Sequence, residues 1–289
     1  MSTKEEVLKK LIDSNDYVSG EMLAKEIGVS RASVWKAIKT LQKAGYDIEG
    51  GYKLNQNNKI VSAQDVKSLL KYDLDVSYFE SIDSTNTYCK RLLADGKGGE
   101  FLVIANNQTA GRGRQGKSFY SPSETGIYFS LVIRPDTSLQ NAVTATTAAS
   151  VAVCKAIEKL TDLKPKIKWV NDVYLNGKKV CGILTEATTD FESGIVDSVI
   201  IGIGINISTT KFPGDVEGAG CLDVDINRSA LIAETVNELM NIAGGDYASF
   251  IEYYRSHSMV IGEKIKFIQN GKTTFATALA IDERGGLEV

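Results

Sequence analysis

The sequence predicts an α+β protein: an N-terminal winged helix-turn-helix, a central mixed sheet with flanking helices, and a small all-β unit at the C-terminus. Three observations carry this. Residues 1–60 read as helix, turn, helix, helix and hairpin. Apolar strand-like runs and longer amphipathic segments follow one another irregularly from 61 to 260. From 261 onward only short β-like segments and turns remain. The domain limits are therefore set at 1–60, 61–260 and 261–289, which suits a 289-residue chain with one large unit between two small ones.

In the first unit, Val7, Leu8, Leu11 and Ile12 have helical spacing. Ser19-Gly20 precedes a second helix, Glu21–Ile27, which Gly28 stops. Ser30 caps a third, Arg31–Ala44. Tyr46–Ile48 and Tyr52–Leu54 flank Glu49-Gly50-Gly51, a hairpin with a Gly-Gly turn that forms the wing. On the third helix Val34, Ile38 and Leu41 share one face. Ala32, Lys36, Lys39 and Lys43 lie roughly opposite, and Arg31, Lys36, Lys39 and Lys43 have no acidic residue among them. Docking the apolar face presents a basic stripe outward, as a recognition helix does. A solvated face on an ordinary bundle is the bland alternative. The coincidence of turn, wing and stripe favours DNA, with Arg31, Ala32, Ser33, Lys36, Lys39 and Lys43 as the contact set.

Asn55–Lys59 is a polar linker, and Ser62 caps a short helix through Lys71. Val76–Phe79, Phe101–Ala105, Ile127–Ile133, Lys166–Trp169, Val173–Leu175, Val180–Leu184 and Ile195–Ile207 read as strands. Ser84–Ala94, Asn141–Leu160 and Arg228–Asn241 read as helices. Beyond Ile261, Lys264–Gln269 and Thr273–Ile281 flank the turn Asn270-Gly271. Glu283–Gly286 turns into a last strand from Leu287. Three strands cannot close a small barrel, so a barrel at 261–289 is expected to be incomplete.

Bulk charge excludes a generic polyanion binder, because the net charge is -3. The distribution is uneven: residues 1–60 hold ten Lys/Arg against eight Asp/Glu, a local basic excess. Cys89, Cys154, Cys181 and Cys221 are widely spaced, and His257 is the single histidine, so a zinc site is not expected. Reduced thiols, an N-terminus without an apolar signal core and the lack of a membrane-length apolar run fit a cytoplasmic protein.

Four clusters carry chemistry. The first is Gln108-Thr-Ala-Gly-Arg-Gly-Arg-Gln-Gly-Lys-Ser118. It satisfies both the phosphate-loop and the dinucleotide patterns, yet both need a helix to open behind the loop. Phe119-Tyr-Ser-Pro-Ser-Glu-Thr-Gly126 denies one, so both matches are decoys. What remains is a glycine-rich loop whose Arg112, Arg114 and Lys117 can wrap an anion, or an ordinary mobile basic loop. The second cluster is Lys168-Trp169-Val170-Asn171-Asp172 with Lys178-Lys179-Val180-Cys181-Gly182 after an Asn176-Gly177 turn. Lys179 starts an otherwise apolar strand and suits a developing anionic charge, unless the lysine pair is merely solvated. Asp83-Ser84-Thr85-Asn86 is by itself a helix cap. Gly202-Ile-Gly204-Ile-Asn206 places glycines where a ligand or backbone approaches a strand.

In order and spacing these clusters resemble the biotin–protein ligases, closely over about residues 80–207. The helix-turn-helix start is similar to the repressor-type members, which end in a small SH3-like β-barrel. The resemblance implies ATP and biotin as substrates, Mg²⁺ with the nucleotide, and biotin transfer through biotinyl-5'-AMP to a lysine of a carboxyl-carrier protein. It also implies operator DNA as a partner and a homodimer when the adenylate is bound. Ser84, Thr85, Asn86 and Gln108, with the backbone near Arg112, would hold the ureido end of biotin, and Gly182 would leave room beside its tail. Arg112, Gly113 and Arg114 would fold over the adenylate. Lys179, Arg112 and Asp172 would act at the reacting groups, and Arg114, Lys117, Phe119 and Asn206 at the nucleotide. Val170 replaces the family's usual proline, and Phe119 stands where some members have tryptophan. A lipoate–protein ligase-like enzyme and a non-catalytic biotin-sensing repressor are the alternatives.

Overall fold

The computed structural model describes residues 2–14, 16–43, 46–55, 60–134, 142–189, 196–214, 216, 218–245, 247–269 and 272–289. Ala44, most of the 55–59 linker, Asn141, Ile195 and the Asn270-Gly271 turn therefore lie outside the described residues.

Three helices open the chain: α1 (Thr3–Asp13), α2 (Gly20–Ile27) and α3 (Arg31–Lys43). Local chemistry starts each one. Ser2 and Glu5 form a reciprocal capping box on α1. The Met22 and Ser33 N–H groups donate to Ser19 and Ser30 Oγ on α2 and α3. Gly28 closes α2 in the left-handed region at φ 76°. Val7, Leu8, Leu11, Leu23, Val34, Ile38 and Leu41 meet in a core of their own. The wing, β1 (Ile48–Glu49) and β2 (Lys53–Leu54), differs from the two-glycine expectation. Glu49 pairs with Lys53, which leaves Gly50, Gly51 and Tyr52 in the loop. Tyr52 takes φ 62° and donates its N–H to Glu49 O, the left-handed closing position of a three-residue hairpin.

After α4 (Ala63–Leu69), seven strands form one mixed sheet in the order β3-β4-β5-β9-β8-β7-β6. They are β3 (Asp75–Phe79), β4 (Phe101–Ala105), β5 (Gly126–Ile133), β6 (Lys166–Lys168), β7 (Asp172–Leu175), β8 (Lys178–Thr189) and β9 (Val196–Asn206). Only β3 and β4 run parallel. Strand alternation sorts their side chains between two faces. Phe129, Leu131, Ile201, Ile203 and Ile205 enter the main core with α6 (Ala142–Leu160) and α7 (Arg228–Ala243). Burial of each such side chain contributes about 1.5–3 kcal/mol. Val132 and Ile200 face the other way, toward Cys89 of α5 (Thr85–Ala94). α8 (Tyr247–His257) went unread in the sequence, although Phe250, Ile251 and Tyr254, all buried, have helical spacing.

The C-terminal residues form two small sheets. β10 (Lys264–Gln269) pairs with β11 (Lys272–Thr277), and β12 (Ala280–Ile281) with β13 (Leu287–Glu288). The expected continuous strand 273–281 breaks at Ala278-Leu279 because the backbone changes partner there. Ala278 bonds back to Gly262 and Glu263, whereas Leu279 N–H donates to Glu288 O. No closed barrel forms among the described residues. All four cysteines are free thiols, and no helix among the described residues is long and apolar enough to cross a membrane.

α4 lies between the first unit and the sheet. Gln64 Nε2 donates to Glu5 O of α1, and the Asn237 side chain of α7 caps the other end through Lys71 N–H and Leu69 O. Asp65 is buried here, and its Oδ1 has no hydrogen-bond partner among the described residues. Burial raises its pKa to about 6. The native state thus holds the proton more tightly than the unfolded chain. Stability on this account is full below about pH 4 and falls as pH rises to about 6, by roughly 3 kcal/mol. Asp65→Asn should remove that slope and stabilise the protein at neutral pH, as read by urea denaturation at pH 4 and pH 7.5. An unchanged slope would assign it to other groups.

Candidate functional site

The open part of the sheet's second face carries an unusual floor. Gly182 of β8 pairs with Gly204 of β9, and Gly202 lies two residues along β9 opposite Leu184. The missing Cβ atoms are filled by neighbours. A Cβ on Gly202 would lie 2.1 Å from Asn86 Oδ1, and one on Gly204 2.4 Å from the Phe119 ring. The close approach expected at these glycines is therefore made by two side chains of this protein, not by backbone.

Around this floor lies a cleft of about 340 Å³ lined by Ser84, Thr85, Asn86, Gln108, the loop from Arg112 to Phe119 and the Lys179 region. The head of α5 forms one wall. Ser84, Thr85 and Asn86 are buried there, and Ser84 is the N-cap. Thr85 N–H donates to Gln108 Oε1, and Gln108 Nε2 donates to Ser121 Oγ, which fixes the amide's orientation. Ser130 Oγ on β5 donates to Asn86 Oδ1 at 2.6 Å and lies 2.7 Å from Thr85 Oγ1.

The glycine-rich loop forms the lid-side wall. No α-helix follows it: Arg114–Gly116 makes one 3₁₀ turn, and Lys117 returns to extended backbone. This removes the helix N-terminus that either nucleotide pattern requires. Gly113 N–H donates to Lys117 O and Phe119 N–H to Gly111 O, so the loop folds back on itself. Gly111 is enclosed, since a Cβ would lie 2.3 Å from Phe119 O. Phe119 stacks edge-on against Tyr128 and roofs the glycine floor.

Lys179 reaches the cleft through a bulge. The register steps from Val173↔Cys181 to Tyr174↔Lys179, so Val180 is an extra residue in β8. A bulge reverses side-chain parity and brings Lys179 onto the face of Gly182 and Leu184. Its ammonium lies 2.6 Å from Asp172 Oδ1. Arg114 donates to Asn171 Oδ1, and Trp169 lines the cleft while its Nε1 donates to Gly285 O of the C-terminal turn. Val170 is buried.

Most expected site residues thus converge, with two qualifications. Asn206 is absent from the cleft wall; it is buried, and its Nδ2 donates to Gly220 O. Arg112 lines the cleft, yet its guanidinium is engaged by Glu186, a β8 residue that sequence reasoning missed. The only sequence signal for Glu186 was a lone carboxylate late in the apolar β8 run. His257 stacks on Tyr253, outside the cleft.

On α3, Arg31, Ala32, Lys36, Lys39 and Lys43 are exposed as expected. Ser33 is engaged locally, with its Oγ 2.9 Å from Ser30 Oγ. Sequence reasoning passed over Trp35, which is 53% exposed between Arg31 and Lys39.

Residues 78–206 match the biotin/lipoate A/B protein ligase family, and residues 3–51 match a helix-turn-helix (HTH) domain. The chain is 32% identical to the bifunctional ligase/repressor BirA of Bacillus subtilis over 94% of its length and 89% of that protein. It is 28% identical to the Escherichia coli protein of the same name, over 96% and 89%. Among solved structures, biotin protein ligase from Aquifex aeolicus in complex with biotin and ATP superposes with a TM-score of 0.62. That match has 26% identity and covers 74% of this chain and 90% of the other.

The glycine floor generates a test. Gly204→Ala drives a methyl into the Phe119 ring, which cannot retreat far because it also packs on Gly182. Biotin affinity should fall about tenfold or more, or ~1.4 kcal/mol, by calorimetry, with the variant still folded by circular dichroism and its thermal midpoint somewhat lowered. Undiminished affinity would show that the Phe119 roof is dispensable.

Proposed function

The chain belongs to the biotin/lipoate A/B protein ligase family, and from that membership we propose that it activates biotin with ATP and transfers it to a lysine of a carboxyl-carrier protein. The observation that carries the reading is the convergence of Ser84-Thr85-Asn86, Gln108, the Gly-Arg-Gly-Arg loop and Lys179 around one cleft.

In the first step the biotin carboxylate attacks the α-phosphorus of ATP, forming biotinyl-5'-AMP and releasing pyrophosphate. Negative charge gathers on the phosphoryl oxygens. Lys179 stands at that end of the cleft, oriented by Asp172, and Arg114 and Lys117 add positive charge from the loop. Arg112, held by Glu186, contributes a fixed charge at the biotin end of the cleft. Ser84, Thr85, Asn86 and Gln108 receive the ureido group, and Phe119, seated on Gly182 and Gly204, lines the path of the biotin chain; the room expected beside Gly182 is taken by that ring. In the second step the acceptor amine attacks the activated carbonyl and AMP leaves, so no covalent enzyme intermediate is required. Asn206 supports the nucleotide end indirectly, through the Gly220 backbone.

Among the described residues no group of three His, Cys, Asp or Glu side chains could hold a metal. Asp172 is the cleft's own carboxylate. That donor set fits Mg²⁺ carried mainly by the nucleotide phosphates, which would supply charge neutralisation there.

The first unit, 1–60, serves as a DNA-binding domain acting on an operator of the biotin genes. Arg31, Ala32, Lys36, Lys39 and Lys43 face the DNA, and Ser33 sets the helix head. Residues 61–260 form the ligase domain. Residues 261–289 contribute to an SH3-like barrel, whose Gly285 carbonyl braces Trp169. The protein works in the cytoplasm and dimerises when the adenylate is bound.

Pyrophosphate release from ATP with biotin, followed by label transfer to a carboxyl-carrier domain, tests the ligase reading. Lipoate competes poorly in that assay if the reading holds, and absence of release leaves only a sensor. Lys179→Ala should slow adenylation by about a hundredfold or more at saturating biotin. An unchanged rate would return Lys179 to the status of a turn residue.

The DNA reading is tested separately. Replacing Lys36, Lys39 or Lys43 by Ala should lower the salt slope of DNA binding by about one for every phosphate that is no longer neutralised. Pyrophosphate release should persist, since these residues lie outside the cleft. Unaltered DNA affinity at every salt concentration would refute this face as the DNA-facing surface.

A further inference from the structure

Glu186 sits on β8 two residues beyond Leu184, the last residue of that strand to line the cleft. Its carboxylate meets Arg112 at two points, Nη1 to Oε2 at 3.1 Å and Nη2 to Oε1 at 3.0 Å. That is the two-point fork by which a carboxylate fixes a guanidinium's plane as well as its position. Lys90 of α5 donates to Oε1 at 2.7 Å, and Asn86 Nδ2 donates to Oε2 at 3.0 Å. Asn86 Nδ2 also lies 3.2 Å from Leu184 O, while its Oδ1 accepts from Ser130 and rests over Gly202. One carboxylate therefore ties together the head of α5, strand β8 and the start of the glycine-rich loop.

Charge explains why a carboxylate is needed. Lys90 Nζ and Arg112 Nη2 both lie within 3.0 Å of the same oxygen, Glu186 Oε1. Without a carboxylate these two cations would repel at close range. Burial opposes ionisation of Glu186, but its bonds to Lys90 and Asn86 and the charges of Lys90 and Arg112 outweigh it and hold the carboxyl below its ordinary value. The negative charge is thus present throughout the neutral range.

We infer that Glu186 is a positioning residue for the biotin end of the cleft, holding the Arg112 segment of the loop and the Asn86 amide in register with each other. The inference rests on the proposed ligase reading, to which it adds a division of labour. Arg112 is fastened to the protein at one end, while Arg114 and Lys117, beyond Gly113, cover the nucleotide end. The Lys179–Asp172 pair, level with Gly182, lies roughly 13 Å away along β8, counting about four strand steps. Loss of Glu186 should therefore disturb biotin far more than ATP.

The test uses the full chain and pyrophosphate release. Biotin is varied at saturating ATP, then ATP at saturating biotin. Glu186→Gln keeps the shape but turns an amide N–H₂ toward cations. It should raise the KM for biotin by about tenfold or more and leave the KM for ATP within about twofold. The thermal midpoint should stay near wild type. Arg112→Ala should do the same, and the double variant should be no worse than either single one, because both remove one linkage. Glu186→Asp keeps the charge and should fall between wild type and Glu186→Gln; if Glu186→Gln does not fold, it carries the same cycle. Equal rises in both KM values, additive effects in the double variant, or a normal KM for biotin would each overturn the inference while leaving the ligase reading intact. A wild-type protein that releases no pyrophosphate with biotin would overturn both.

Discussion

The cleft depends on three strand positions that carry no Cβ. Gly182, Gly202 and Gly204 adjoin one another on the sheet's second face, and the space they free is occupied to atomic contact. Asn86 sinks onto Gly202, which lets it reach Ser130, Leu184 O and Glu186 together. Phe119 sinks onto Gly204 and Gly182, which draws the return of the glycine-rich loop down over the sheet. A side chain at any of the three would lift one wall of the cleft. The opposite face has no such freedom: there β9 places Ile201, Ile203 and Ile205 against α6 and α7. A close-packed layer on one side provides a flat, stiff base for polar groups on the other.

Much of this was legible where local rules decide. Caps at Ser30, Ser62 and Ser84 were visible because a side-chain oxygen next to an apolar periodic run has few other uses. The glycine-rich loop could be denied its helix because Pro122, Gly126 and their neighbours break one locally. The unread features are those that need a partner from elsewhere in the chain. The Val180 bulge is defined against β7, so sequence alternation alone puts Lys179 on the wrong face. Glu186 looks like a solvent-facing residue until α5 and the loop bring it two cations and an amide. The strand at 273–281 reads as continuous, and it breaks because Ala278 and Leu279 bond to different segments. α8 carried a helical signal in Phe250, Ile251 and Tyr254 that its surrounding polar residues obscured.

The two halves of the proposed function share a structural element. α4 receives α1 through Gln64 and α7 through Asn237, and Asp65 is enclosed between them. Tyr46, which follows the recognition helix, feels the Asp65 carboxylate, and burial together with that charge pushes its phenol up to about 12. A buried carboxylate with an unpaired oxygen is costly. It sits where the DNA-facing unit meets the ligase unit, a position at which a tightly packed apolar contact would have been more stable.

β8 has a further consequence. It carries Lys179 near one end and Glu186 near the other; the Lys179 side chain folds back along the strand to Gly182, and the span left between the two stations is set by the backbone from there to Glu186. An extended backbone is almost inextensible, because its rise per residue is fixed by covalent geometry. The strand acts as a ruler. Its length is laid off once, at folding, and does not adjust to the guest. A carboxylic acid whose head group docks beside Asn86 must present its carboxylate at a distance the ruler dictates. Acids shorter by several methylenes leave one station unmet, and longer ones must buckle. Length discrimination is thereby assigned to the main chain, and substitutions in the cleft walls can change grip without changing gauge.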